Sequence, residues 1–364
     1  MRKILFLLFF SGINILRGQQ IESSYNFSIN NFYGRILNHN SDISHLITGR
    51  PSGVLLSVNQ QTFGEKEWQR LYNYPDYGFS FIYQDLDNEF LGENYSVYLH
   101  WNFYFLKRAL ALKIGQGLAY ASSPYDIDKN FRNIAYGSHI MSSTIAFLNY
   151  KKQHIFGGLG IQAGLGVVHY SNANVKAPNK STNTLVMTIG ATYNFQENTS
   201  RYINKEPGLV SASQPIGFGF FYRGGINESD VVGSGQYAFH TFGAVANKVL
   251  NKKSSIQVGS EIFFSKALSR FIQYRSIGAF EDGVTGEEDS KRIGVFTGHE
   301  LRIHKISIIT QLGFYVYYPF DYEGQFYNRM GARYSFNSRW SGLITVRSHG
   351  ARAEAVEFSI QYDL

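Results

Sequence analysis

Apolar and polar positions alternate with a period of two along almost the whole chain. Val97, Leu99, Trp101, Phe103 and Phe105 share one parity, and Tyr98, His100, Asn102 and Tyr104 the other. Leu185, Met187, Ile189, Ala191, Tyr193 and Phe195 alternate in the same way with Val186, Thr188, Gly190, Thr192 and Asn194. The last segment sets Val356, Phe358, Ile360, Tyr362 and Leu364 against Glu357, Ser359, Gln361 and Asp363. Successive side chains of a strand point to opposite faces, so each segment reads as a strand with one apolar and one polar face. About sixteen such strands can be placed, centred near 30, 57, 81, 101, 115, 144, 162, 190, 217, 242, 260, 298, 312, 331, 344 and 358. The first alternates less cleanly and is compatible with a periplasmic arm; 209–226 is irregular. Polar connections at 121–137, 171–182, 196–208 and 266–291 contrast with short turns such as Asn251–Lys252–Lys253. Roughly ten-residue alternating segments, long loops at one end and tight turns at the other are the signature of a transmembrane β-barrel. The expected fold is all-β, a single antiparallel outer-membrane barrel of about 14–16 strands over residues 19–364.

Composition agrees with this reading. Charged residues are 17% and aromatics 16%, yet the mean hydropathy is −0.20. Low charge without high hydrophobicity fits side chains divided between lipid and a polar interior. Residues 1–18 read as a secretory signal: Arg2 and Lys3, then an apolar stretch from Ile4 to about Leu16, with Gly18 before Gln19 as the cleavage point. No later run reaches the ~18 apolar residues of a spanning helix. Export followed by insertion into a Gram-negative outer membrane is therefore expected. With no cysteine in the chain, disulfides, a thiolate nucleophile and a lipidated cysteine are excluded. The formal charge of +7 falls to about +4 once Arg2, Lys3 and Arg17 leave with the signal. No basic block with interleaved aromatics occurs, so nucleic acid is not an expected partner. Neither a cofactor nor a metal is expected.

The segment Gly158–Ser171 concentrates the candidate chemistry. Its apolar row, Leu159, Ile161, Ala163, Leu165 and Val167, continues into His169 and Ser171, while the opposite row is mostly glycine. The apolar row must face lipid, which places His169 and Ser171 outward near a strand end. Two residues apart on one face, they are separated by about 6.6 Å of strand rise, within reach for an imidazole to take a serine proton. Such a pair is the activated nucleophile of acyl transfer. Asn183 opens the next strand with the parity of Leu185 and Met187 and can stand across a hairpin from His169, as the third group that fixes the imidazole.

The run His169-Tyr-Ser-Asn-Ala-Asn-Val-Lys-Ala-Pro-Asn179, followed by Asn183, resembles the PagL-type lipid A 3-O-deacylases and, more closely, the Bacteroidetes acyloxyacyl hydrolases. Ser44–Gly53 and Tyr72–Gly78 are similar to that second group, and the resemblance spans about residues 40–197. It implies Ser171 as nucleophile and His169 as general base. An oxyanion and substrate-binding set would be formed by Asn179 and the turn Asn172, Ala173 and Asn174. It further implies an esterase that removes an acyl chain from lipid A or lipopolysaccharide. The resemblance carries a Glu fourteen residues after the His, where this chain has Asn183. A Ser-His-Asn set resembles instead the outer-membrane phospholipase A family, which makes a glycerophospholipid the alternative substrate. Members of the PagL group are barrels of about eight strands. Residues 209–364 carry no motif of their own and read as additional strands widening one barrel. At that width a transport or structural barrel with a vestigial site is a further alternative.

Weaker candidates lie elsewhere. His299 falls on the outward parity of its strand beside Glu300, and the acidic run Glu281–Asp289 is compatible with a calcium-binding or a merely solvated loop. Lys176 and Lys180 are placed either to contact lipid phosphates or to keep an outer loop soluble.

Overall fold

In the computed structural model, which describes residues 24–195, 202–204, 215–278, 280 and 282–364, all sixteen expected strands are present. The expected signal, most of 196–208 and Glu281 lie outside the described residues. The first eight strands are β1 (Tyr25–Ile36), β2 (Ser52–Gln60), β3 (Asp76–Asp85), β4 (Glu93–Phe105), β5 (Leu110–Ala121), β6 (Ile140–Phe156), β7 (Leu159–Ser171) and β8 (Thr182–Asn194). A short helix α1 (Glu67–Leu71) sits between β2 and β3. The second eight are β9 (Gly217–Asn227), β10 (Tyr237–Val249), β11 (Ser254–Ser265), β12 (Arg292–Ile303), β13 (Ile306–Tyr317), β14 (Phe326–Ser335), β15 (Trp340–His349) and β16 (Arg352–Asp363). Helix α2 (Lys266–Ile277) follows β11.

In place of one wide barrel over 19–364, the strands close into two barrels of eight. β8 turns back to pair with β1, from Asn26↔Asn194 to Ile36↔Thr184. β16 pairs with β9, from Phe358↔Gly224 to Asp363↔Gly219. The two segments that alternate least cleanly in sequence, β1 and β9, are thus the closing strands, and β1 is no periplasmic arm. Strands β9–β16 are correspondingly not added staves of a wider wall. Eight strands leave an interior just wide enough for side chains to fill it, and both lumens are filled.

The two fillings differ. The first barrel holds an apolar cluster including Phe32, Leu55, Ile82, Tyr98, Ile145 and Val168, capped by Ile43 and Leu46 of the β1–β2 loop. Below it lie polar groups, among them Asp76, which pairs with Arg108 at 3.0 Å and accepts from the Tyr104 hydroxyl at 2.5 Å. The second barrel is packed with paired charges. Arg329 on β14 meets Glu261 on β11 at 2.9 Å and Glu357 on β16 at 2.5 Å, and all three side chains have zero exposure. Arg292 and Arg347 both reach Glu354, at 2.5 and 3.0 Å. One arginine can bridge opposite walls only if the barrel is narrow. The described strands therefore form no sixteen-strand aqueous channel.

Outward positions are apolar and exposed around both barrels, as with Phe79, Leu99, Met187 and Ile189 on the first and Phe220, Val258, Ile344 and Phe358 on the second. No described helix is long and apolar enough to cross a membrane. This is the outer-membrane β-barrel fold, with the lipid-facing band supplied by strands.

Loops 37–51, 86–92, 122–139 and 172–181 lie at one end of the first barrel, where Asn174, Val175 and Ala177 bond to Glu228 and Gln236 of the second barrel's 228–236 connection. The connection 266–291, expected to be only polar loop, starts with α2, which is capped by the Ser265 hydroxyl and buries Ala267, Leu268 and Ile272. At the opposite end the barrels touch directly. The Tyr72 hydroxyl donates to the Arg302 carbonyl at 2.7 Å, Lys252 pairs with Glu67, and Trp68 stacks on His304.

Candidate functional site

The β7–β8 hairpin brings the three polar residues of its outward face together. His169 and Asn183 are direct cross-strand partners. Their outward neighbours Leu165, Leu185 and Met187 are exposed to the lipid side. The imidazole Nδ1 stands 2.7 Å from Asn183 Oδ1. An amide oxygen can only accept, so Nδ1 carries the hydrogen and Nε2 keeps its lone pair. That is the tautomer a general base needs.

Ser171 ends the same row and is buried. Its hydroxyl donates to Asn179 Oδ1 at 3.1 Å and accepts from the Ala173 N–H at 2.9 Å. Among the described residues it makes no hydrogen bond to His169. Catalytic hydrogen bonds commonly tighten only when substrate is bound.

The turn after Ser171 is held in a demanding conformation. Ala173 and Asn174 have φ of 50° and 62°, left-handed values that non-glycine residues seldom adopt. Asn172 sustains it: its Oδ1 accepts from the Asn174 N–H at 3.0 Å, and its Nδ2 donates to the Lys176 carbonyl at 2.7 Å and to Ser138 Oγ at 3.2 Å. Asn179 Oδ1 also accepts from the Asn172 N–H at 3.0 Å. This orients Asn179 with its Nδ2 as the remaining donor. Of the expected oxyanion set, Ala173 and Asn179 face Ser171. Asn172 is scaffolding, and the Asn174 N–H is already engaged within the turn.

The β5–β6 loop anchors the far side of the hairpin loop. Lys180 and Ser181 N–H groups donate to the Ile134 and Ala135 carbonyls, both at 3.1 Å, and the Tyr136 hydroxyl meets Thr182 Oγ1 at 2.5 Å. A Cβ on Gly137 would come within 2.5 Å of the Lys176 carbonyl, so the close approach of the two loops requires glycine there. Lys180 pairs with Asp42 at 3.1 Å, while Lys176 is exposed and lines an outer hollow of about 830 Å³ with Lys129, Asp126, Ser138 and His139. No spacing rule in the sequence links Ser138 to Asn172; only the folded loop does.

The weaker candidates resolve differently. His299 Nε2 lies 2.6 Å from Ser254 Oγ on the exposed wall of the second barrel, at the short-turn end, and no described group orients its Nδ1. The acidic run is engaged with its own loop: Asp282 pairs with Arg275, Glu288 accepts from Thr285 and Gly286, and Asp289 accepts from Tyr317. These carboxylates do not converge as a calcium set. Glu323, His349 and Glu354, unremarked in sequence, do converge at the outer mouth of the second barrel, where Glu354 already holds Arg292 and Arg347.

Two family models match the chain. The family model described as lipid A 3-O-deacylase (PagL) matches residues 52–192. The model described as acyloxyacyl hydrolase, C-terminal domain, matches residues 216–364. The chain belongs to the lipid A 3-O-deacylase (PagL) family. One match falls on each barrel, so the second half, which shows no motif in sequence, is the family's own C-terminal domain. No curated protein matches the chain. Among solved structures, a triple mutant of Rh. blastica porin is 9% identical, covering 94% of this chain and 99% of that one at a TM-score of 0.18. CdiB from Acinetobacter baumannii is 10% identical, covering 93% of this chain and 60% of its own at a TM-score of 0.19. At these TM-scores neither overlay bears on the fold.

Proposed function

We propose that this chain is an exported outer-membrane carboxylic ester hydrolase that removes an acyl chain from lipid A. Ser171 is its nucleophile, His169 its general base and Asn183 the group that orients the imidazole. The observation that carries this reading is the in-register His169–Asn183 contact at 2.7 Å on the lipid-facing wall, with Ser171 two residues further toward the outer rim. Polar groups on that wall need a reason, and an acyl chain lying in the bilayer beside them supplies one.

The chemistry follows from the geometry. Ser171 Oγ attacks the ester carbonyl carbon while its proton passes to His169 Nε2. The carbonyl oxygen becomes an oxyanion, received by the Ala173 N–H and the Asn179 amide. Collapse breaks the ester C–O bond, and His169 returns the proton to the departing sugar hydroxyl. Water then attacks the acyl-serine with His169 again as base, releasing the fatty acid.

Asn183 distinguishes this site from one with a carboxylate. An amide positions the ring but gives the imidazolium no counter-charge. Asn183→Ala is expected to lower acyl release by one to two orders of magnitude, about 1.4–2.8 kcal/mol, less than loss of the serine or histidine. Asn183→Glu is expected to hold or raise the rate. A loss from Asn183→Ala as large as that from His169→Ala would contradict a role limited to orientation.

The Ser-His-Asn composition also favours a second substrate, a glycerophospholipid, since an identical mechanism cleaves its acyl esters. The pure protein in detergent, given lipid A and phosphatidylethanolamine separately, discriminates the two. Fatty acid release from lipid A at the higher kcat/KM supports the first reading. Release from the phospholipid alone replaces it with the second.

A further inference from the structure

The second barrel reaches into the site of the first. Its outer loop 228–236 carries Glu228, which is 3% exposed although it is a carboxylate in a loop. The Glu228 N–H donates to the Asn174 carbonyl at 3.0 Å, and Asn174 Nδ2 donates to the Glu228 carbonyl at 3.1 Å. Glu228 Oε2 accepts from the Ala177 N–H at 2.9 Å, and Oε1 from its own loop's Gly235 N–H at 3.1 Å. Gln236 Nε2 adds a bond to the Val175 carbonyl at 2.8 Å. No cationic side chain pairs with Glu228 among the described residues.

We propose that Glu228 is a positioning residue for the hydrolase site, clamping the turn that presents the Ala173 N–H and Asn179 to Ser171. This rests on the reading of Ser171 as nucleophile. The clamp grips both sides of the functional turn: Asn174 adjoins Ala173, and Ala177 lies two residues before Asn179. The turn needs such a grip, because consecutive left-handed residues persist only where the surroundings over-determine them. Burying a carboxylate without a counter-ion is costly. The amides it receives, one on each barrel, are what offset that cost, through charge-assisted hydrogen bonds. A barrel that merely accompanied the enzyme would leave this loop hydrated. The second barrel is thereby a part of the site, acting through backbone groups and touching no substrate.

The test uses the full chain folded in detergent, with Ser171 labelled by a fluorophosphonate probe. Serine Oγ forms the bond to phosphorus, fluoride leaves, and the serine proton passes to His169, so no lipid identity is assumed. Intact protein is expected to label and Ser171→Ala not to. Glu228→Ala is expected to label about 10- to 100-fold more slowly, the scale of a small misplacement at a reacting centre. Glu228→Gln, which keeps one acceptor oxygen, should recover part of that loss. On ester substrate the deficit should fall in kcat with KM little changed, and the heat-modifiable gel mobility of the folded barrels should stay that of the intact protein. Parental labelling rates in both Glu228 variants overturn the inference while leaving the site intact. Loss of the folded band in both variants also overturns it, since Glu228 would then serve assembly. Failure of the intact protein to label removes the proposed function and, with it, this inference.

Discussion

Ser171→Ala and His169→Ala are each expected to lower acyl release by at least about three orders of magnitude. Without Oγ nothing attacks the ester carbonyl; without the imidazole the hydroxyl has no acceptor for its proton. Members of such a set act as a unit, so the double variant should be scarcely slower than either single one. What remains comes from the Ala173 N–H, Asn179 and substrate binding. The measurement is fatty acid release by the purified variants under conditions where KM is also determined. Multiplicative losses in the double variant would mean that the two residues do not share one step, despite ending the same row of β7.

Arg329→Ala is expected to be the most destabilising single substitution in the second barrel. It leaves Glu261 and Glu357 facing each other across a closed lumen, both with zero side-chain exposure. Breaking a buried ion pair by removing one partner costs about 3–5 kcal/mol, because the remaining charge is stranded. Arg223, 3.8 Å from each carboxylate, and Arg347, 3.7 Å from Glu357, are too distant to replace it fully. The denaturant midpoint of the folded, heat-modifiable form should fall accordingly. Removing Glu261 together with Arg329, as a paired change to leucine, should recover part of the loss. An unchanged midpoint for Arg329→Ala would mean water reaches these charges, and a hydrated channel would have to be reconsidered.

The strands were legible because the outer face of a membrane barrel must be apolar at every second residue, and Leu99, Met187 and Phe358 follow that rule wherever they sit. Closure was not legible from the same rule. Parity tells which way a side chain points, not which strand β8 will meet. A signal lay in the inward row of the second half, where Arg223, Glu261, Arg292, Arg329, Arg347, Glu354 and Glu357 all occupy buried positions. Charges of both signs on one inward face need to meet, and only a narrow lumen lets them. Helix α2 was also readable in principle: Ser265 as N-cap and Ala267, Leu268, Phe271 and Ile272 at helical spacing stand inside a stretch whose polarity suggests only loop.

The site divides along similar lines. His169 and Asn183 lie on strands joined by one loop, so parity and hairpin geometry bring them face to face. The roles within 172–179 depend on backbone angles at Ala173 and Asn174 that no alternation encodes. The engaged N–H of Asn174 follows from the Asn172 side chain, which serves equally well as acceptor or donor on paper. Glu228 lies more than fifty positions beyond Ser171 in a separate barrel, and nothing but the folded contact relates them.

Mass spectrometry of lipid A and phospholipids from Gram-negative cells expressing either the intact chain or Ser171→Ala tests the proposed deacylation in the membrane itself. Cells carrying the intact chain are expected to hold lipid A short of one acyl chain, with the matching free fatty acid, and cells with Ser171→Ala unaltered lipid A. Identical lipid A and phospholipid spectra from the two, with both proteins folded in the outer membrane, would contradict it.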